Sequence, residues 1–379
     1  MSRPTRICFV APNLYPVLSG NEGTAGRMGG AEVQQTFIAR SLVQRGYDVH
    51  VASLDFGQHE GQLVDGITQH VLFNEQAGVR GVRFFHPRMT GILAALGRAD
   101  ADVYYQRNAA MLTGLVAFHA RCRGRSMIYA GAADTDFTPG AERLHSNRDR
   151  RMFRWGLKKA DAWVVQNQHQ VETAMKHYGR EPVLIRSFYL PPNPLPDSTG
   201  PEVLWCSMMR QIKRPELFIE LARRLPHVRF RMVGGALPSD DGRRQYEMAK
   251  EMATDVPNLV FDGFQPYQAA DALFNRACVF VNTAVDEGFP NTYLQAWARK
   301  IPTVAFWNSR SFHQGQAVDL VASDLDHMVQ LVGELAQRGV HAFEHRGRGS
   351  IGLAHVGGNS GLQAVLHGQQ AVGEGLDRE

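Results

Sequence analysis

The sequence predicts an α/β protein of two doubly wound domains, each a largely parallel sheet covered by helices. Three observations predict it. Strand-like and helix-like apolar patterns alternate in two successive blocks, as βαβ units require. Between the blocks lies Leu190-Pro191-Pro192-Asn193-Pro194-Leu195-Pro196, and four prolines in seven residues cannot pair inside a sheet. At 379 residues the chain also exceeds what one hydrophobic core usually supports.

The first block opens with Ile7-Cys8-Phe9-Val10-Ala11, an apolar run of strand length. Val33, Phe37, Ile38, Ser41 and Leu42 then recur at helical spacing until Gly46 stops the helix, and Val49 and Val51 begin the next strand. A strand, helix and strand in this order imply parallel pairing through a right-handed crossover. Apolar stretches at 103–105, 127–130 and 162–165 extend the sheet. Past the prolines, 203–206 reads as a strand, Leu217, Phe218, Leu221, Ala222 and Leu225 mark a helix, and 228–233 is a strand ending in Gly234-Gly235. Two further strands are expected at 278–282 and 303–306. The division predicted is a first domain over 1–190, a linker over 191–202, a second domain over 203–340 and an atypical tail over 341–379. That tail carries glycine-rich runs such as Gly347-Arg348-Gly349 in place of an amphipathic helix. Ligands of such sheets bind outside the carboxyl ends of the strands, so a cleft between the domains is the expected site.

Composition narrows the class. A chain 44% hydrophobic and 21% charged is an ordinary globular protein, and a net charge of +4 makes no demand for nucleic acid. No run of about 18 apolar residues occurs, which places the protein in the cytosol or on the inner membrane face. Cys8, Cys122, Cys206 and Cys278 are far apart, and three fall in apolar runs, so they read as core residues of a reducing compartment. Arg143, Arg148, Arg150, Arg151, Arg154, Lys158 and Lys159 surround Met152, Phe153, Trp155 and Leu157. That segment suits either a helix with one core face and one solvated basic face, or peripheral contact with an anionic membrane.

The segment Val285-Asp286-Glu287-Gly288-Phe289-Pro290-Asn291-Thr292-Tyr293-Leu294-Gln295-Ala296-Trp297 carries the most chemistry. Pro290 suits the first turn of a helix, whose leading amides at Asn291 and Thr292 would offer a phosphate the positive end of the dipole. Glu287 lies in the loop beside that helix start, and Asn291 and Gln295 share a face one turn along. A diphosphate at the tip, a ribose one turn down and a sugar hydroxyl on Glu287 would fit one nucleotide-sugar.

Glu-Gly-Phe-Pro ahead of a helix, with a ribose-binding position eight residues after the Glu, resembles the motif of retaining family-4 (group 1) glycosyltransferases of the GT-B fold. The resemblance spans roughly residues 6 to 325. It implies an acceptor-binding first domain and a donor-binding second domain, both Rossmann-like, around a central cleft. It further implies that Glu287 touches the transferred sugar, that Gly288, Phe289, Pro290, Asn291 and Thr292 touch the diphosphate, and that position 295 binds the ribose. Gly29 and Gly30, which end the stretch 20–30 and precede Ala31-Glu32, match a Gly-Gly-Ala-Glu that walls the cleft, and Gly234 joins the donor set. Lys213 matches the lysine that stabilises the leaving diphosphate, with Arg210 standing near the family's arginine. No resident cofactor and no metal are implied; the donor is a substrate.

Three positions depart from the pattern. Position 295 is Gln where the family has Glu, Met208 occupies the place of the arginine, and 129–136 holds no His where many members have one. Asp134 and Asp136 stand there and suit either sugar contact or a helix or turn start; their Asp-x-Asp spelling sits in the wrong context for a cation site. His119, in a helical stretch, reads as a packed or surface residue. Two rivals therefore stand beside a metal-independent glycosyltransferase acting on a glycan or lipid-linked acceptor: a catalytically impaired nucleotide-sugar binding protein, and a sugar-nucleotide epimerase of the same fold.

Overall fold

The computed structural model describes residues 3–20, 29–79, 81–142, 144, 146–192, 194–195, 200–237, 239–285, 287, 289–313 and 316–345. The tail beyond 345 lies outside them. The chain forms two compact units that divide after Ser187. No helix among the described residues is long and apolar enough to cross a membrane.

The first unit runs β1 (Arg6–Val10), α1 (Leu14–Ser19), α2 (Gly30–Gln44), β2 (Asp48–Ser53), β3 (Leu63–Val64), β4 (Ile67–Val71), α3 (Thr90–Ala99), β5 (Val103–Arg107) and α4 (Met111–Cys122). It continues with β6 (Ser126–Ala130), α5 (Asn147–Lys159), β7 (Ala162–Val165), α6 (Gln168–Tyr178) and β8 (Val183–Leu184). Strand order is β3-β4-β2-β1-β5-β6-β7-β8, parallel except for the β3–β4 pair. Because side chains alternate across a strand, Cys8 and Val10 enter one core with Tyr104, Tyr129 and Phe153, while Phe9 enters another with Leu14, Leu18 and Tyr105. An all-apolar β1 follows from burial on both faces.

In the second unit, β9 (Glu202–Cys206), α7 (Pro215–Arg224), β10 (Arg229–Val233), α8 (Asp240–Thr254), β11 (Leu259–Gly263), α9 (Tyr267–Leu273) and β12 (Ala277–Asn282) come first. They are followed by α10 (Asn291–Ala298), β13 (Thr303–Ala305), the antiparallel pair β14 (Phe312–His313) and β15 (Gln316–Ala317), β16 (Asp319–Val321) and α11 (Leu325–His345). The sheet order β11-β10-β9-β12-β13-β16 is wholly parallel. In each unit the strand order reverses once, between β1 and β5 and between β9 and β12. Such a reversal leaves a crevice at the carboxyl ends of the two strands.

Among the cysteines, burial pushes the Cys8 and Cys206 thiols up to about 12 and Cys278 to about 11, so these three pack as apolar side chains. His119 is buried on α4 with its Nε2 3.2 Å from the Tyr104 hydroxyl, and burial lowers its pKa. It is a packed histidine. From Asn147 on the basic segment forms α5, which buries Phe153, Gly156 and Leu157, exposes Trp155, and ties Arg154 to Glu142 through two bonds of 2.6 and 2.9 Å; Arg143 lies outside the described residues.

Helices α4 and α5 meet backbone to backbone. A Cβ on Gly156 would lie 2.5 Å from the Thr113 carbonyl oxygen, and one on Gly114 would lie 2.7 Å from that of Met152. Neither neighbour is a flexible chain end, so the helices would have to part. Gly156→Ala is expected to destabilise the protein by about 1–3 kcal/mol through overpacking. Urea denaturation followed by circular dichroism measures it; an unshifted midpoint would mean that the two helices are not close-packed there.

Candidate functional site

Both loops that leave the β9/β12 crevice are bonded to one another. Thr283, just past β12, receives the indole N–H of Trp205 from β9 (3.0 Å) and donates its hydroxyl to the Lys213 carbonyl at 2.6 Å. Arg214 Nε donates to the Thr283 carbonyl (2.9 Å), and the Val285 amide donates to that of Ile212 (3.2 Å). These bonds fix the backbone on either side of two side chains, Lys213 and Glu287, which form a hydrogen-bonded ion pair. Their side chains are 17% and 13% exposed, half-way between a surface pair and a buried one. Asn282 adds an amide bond to the same Glu287 Oε1 at 3.3 Å and caps the loop by accepting from the Ala284 amide at 2.8 Å.

Lys213 and Glu287 were expected in one site, and the structure brings them together although 74 residues separate them. Arg210 stands exposed at the start of the 3-10 turn Gln211–Lys213. Pro290 is the residue before α10, not in its first turn as expected: its ψ of 123° is extended, so the helix begins at Asn291. Proline favours this place because it lacks an amide and disfavours a helical residue ahead of it. Phe289 packs its ring 6.1 Å from Trp297 and 6.5 Å from Tyr293, edge-on to both, which anchors the loop to α10. Asn291 and Thr292 open that helix; Gly288 lies outside the described residues.

Gln295 is placed otherwise than a ribose contact would need. It is 4% exposed, and its Nε2 donates to Asp271 Oδ1 at 2.7 Å. Asp271, on α9, is in turn bound by Arg299 Nη2 (2.7 Å) and by the Tyr189 hydroxyl (2.9 Å), while Arg299 reaches Asn275 and the Gln295 carbonyl. Burial, and after it the Asp271 charge, pushes the Tyr189 hydroxyl far up. The cluster was not foreseen from the sequence. The signal for it was the pairing of Gln295 with Arg299 one helical turn on, in a segment otherwise apolar.

Gly234 has a packing reason. A Cβ there would stand 1.8 Å from the Ser207 carbonyl oxygen, where the exits of β9 and β10 run side by side. Gly29 precedes α2 as its N-cap, and Gly30 begins the helix. In the first unit the two aspartates turn inward. Asp134 accepts from Asn167 (2.9 Å) and Gln170 (3.0 Å), and Asp136 is buried and accepts from the amides of Ala132 and Ala133 and from the Tyr129 hydroxyl. Among the described residues no group of three His, Cys, Asp or Glu side chains could hold a metal ion.

Comparison with known proteins agrees with this layout. A model of the group 1 glycosyl transferases matches residues 200–338, and a model of glycosyltransferase family 4 matches residues 28–189. No curated protein matches. Among solved structures, sucrose-phosphate synthase from Thermosynechococcus elongatus is 16% identical with a TM-score of 0.67, over 98% of this chain and 99% of that one. Anabaena HepE, solved in complex with UDP-glucose, is 15% identical with a TM-score of 0.65 over the same shares, 98% and 99%. A glycosyltransferase from Rickettsia africae is 14% identical with a TM-score of 0.58, over 91% and 93%. Likeness at these identities is a likeness of fold.

The Asp271 cluster balances one carboxylate against one guanidinium. Gln295→Glu would add a second buried carboxyl against Asp271, and burial with a like charge would raise the new group's pKa above its unfolded value. A raised acid costs nothing below its unfolded pKa and costs progressively more as pH climbs from there to its folded pKa. The variant is therefore expected to melt near wild type at pH 5 and well below it at pH 8, with no gain in nucleotide affinity. Melting curves at the two pH values check this; a variant that binds nucleotide more tightly without losing stability would return position 295 to the ribose.

Proposed function

Because this chain is a group 1 glycosyltransferase of the GT-B fold, we propose that it moves a sugar from a nucleotide diphosphate donor to a hydroxyl of a glycan or lipid-linked acceptor, with retention at the anomeric carbon. The observation that carries this reading is the Lys213–Glu287 pair at the β9/β12 crevice, next to the amino end of α10. A carboxylate and an ammonium held side by side serve the two halves of such a donor. Glu287 accepts hydrogen bonds from sugar hydroxyls, and Lys213 faces the diphosphate.

In the reaction the bond between the anomeric carbon and the diphosphate oxygen breaks, its electron pair leaving with the diphosphate. The acceptor oxygen forms the new bond on the same face, and its proton passes to the departing phosphate. Negative charge grows on the leaving group, so a fixed cation in a partly desolvated site lowers the barrier more than it could in water. We assign that charge to Lys213, with Arg210 and the α10 amides beside it, and read the transfer as metal-independent on that account. The UDP-glucose complex of HepE, a protein of like fold, supports a nucleotide-sugar as the donor. The first unit is read as the acceptor side.

Transfer or donor hydrolysis, assayed across UDP-, GDP- and ADP-sugars with and without EDTA, tests the reading. Glu287→Ala is expected to reduce turnover about 100-fold or more while nucleotide diphosphate affinity changes by less than about threefold. Lys213→Ala is expected to weaken diphosphate binding about tenfold, since a charged bond to phosphate is lost in the ground state as well. Wild-type turnover in the first variant, or unchanged diphosphate affinity in the second, would remove the corresponding residue from the mechanism.

A further inference from the structure

Two buried histidines join β2 to β4 near the edge of the first sheet. His50 on β2 and His70 on β4 are 6% and 5% exposed, and because Ala52 stands opposite His70, the two rings share one face of the sheet. Their nitrogens face one another, His50 Nδ1 to His70 Nε2 at 2.8 Å. A carboxylate follows at each outer end: His50 Nε2 lies 3.0 Å from Asp48 Oδ1, and His70 Nδ1 lies 2.5 Å from Glu60 Oε1, in the segment between β2 and β3. The four groups form one line.

Proton counting decides what that line can hold. An ionised carboxylate only accepts, so Asp48 needs an N–H on His50 Nε2, Glu60 needs one on His70 Nδ1, and the contact between the rings needs a third proton. Two neutral imidazoles bring two. With both rings neutral, either a bare nitrogen meets a carboxylate or two lone pairs meet at 2.8 Å. Against burial, which would raise them, Arg6 and His50 hold the Asp48 carboxyl below its usual pKa, and Arg98, the Val71 amide and His70 do the same for Glu60, so neither carboxyl can supply the missing proton. The line closes only when one ring is an imidazolium. Burial lowers the pKa of His50, which leaves the third proton to His70, beside Glu60.

The neighbours are all named. Arg6 on β1 donates Nε to Asp48 Oδ2 at 2.6 Å, Arg98 on α3 reaches Glu60 Oε2 at 3.0 Å, and the Val71 amide donates to that same oxygen at 3.0 Å. Cys8, opposite His50 on β1, is a neutral thiol. We propose that the His50–His70 pair is a pH-sensitive latch: singly protonated it ties β4 and residues 54–62 to β2, and in its neutral form it lets them open. The segment it holds leaves the carboxyl end of β2, the edge at which such sheets bind ligands. The closed latch keeps a proton that the opened segment releases sooner. Its contribution is therefore complete in mild acid and fades as pH rises through the histidine range, by up to about tenfold in the opening equilibrium per pH unit for one proton.

Amide hydrogen exchange of the full chain measures that opening, read on peptides over 54–72 between pH 5.5 and 8.5 and divided by the intrinsic exchange rate at each pH. Protection there is expected to fall about tenfold or more across the range, while peptides over 229–263, in the second unit, keep theirs. Glu60→Gln isolates the latch from every other titration. Its amide donates to a bare His70 Nδ1 while its carbonyl accepts from Val71 and Arg98, so two neutral imidazoles now complete the line. That variant is expected to keep 54–72 closed at pH 8.5, with less than about a twofold change over the range. Imidazole nitrogen shifts give a second reading: in wild type the loss of protection coincides with the loss of a proton from His70. Flat protection in wild type, an equal fall over 229–263, a Glu60→Gln variant that opens as wild type does or at every pH, or two neutral rings where protection is highest would each overturn the proposal.

Discussion

The chemistry proposed for the second unit depends on one contact, the ion pair between Lys213 and Glu287. Its two residues leave neighbouring strands of a parallel sheet, which delivers both loops to the same edge. Delivery alone would not hold them together. Thr283 does that, taking the Trp205 N–H and giving its hydroxyl to the Lys213 carbonyl, so that the two loops share a backbone scaffold. Partial burial then matters: at such a site the attraction is several times stronger than in bulk water, yet each group keeps an exposed edge for a ligand.

The Asp271 cluster obeys charge balance. One carboxylate faces one guanidinium, and the remaining partners, Gln295, Tyr189 and Asn275, are neutral. A neutral amide at 295 satisfies Asp271 without adding a charge that nothing would compensate. The residue at 295 is thus set by its buried neighbours, Asp271 above all.

In the first unit the acidic side chains near the strand ends are turned into the protein. Asp136 caps its own turn, and Asp134 accepts the amides of Asn167 and Gln170. Among the described residues Arg107 Nε is buried without a hydrogen-bond partner. Close helix packing at Gly114 and Gly156 and the paired polar groups around Gln106 hold α4, α5 and the end of β5 in place.

Much of the fold was legible in the sequence because periodicity reports burial directly. The runs at 7–11, 162–165 and 278–282 are strands to within a residue, and Val33 to Leu42 lie on one helix, since only a two-sided core asks for such patterns. The short edge strands β3 and β8 and the pair β14–β15 are two residues each, too short to show a period. At the site, Glu-Gly-Phe-Pro and the cation after β9 were visible as local chemistry. The sequence by itself determined which residue types stand at the carboxyl ends of the strands. Only the tertiary structure decided how they are paired: it bonded Gln295 to Asp271 on another helix and turned Asp134 and Asp136 inward, because hydrogen-bond partners drawn from distant elements are set by packing and leave no periodic trace along the chain.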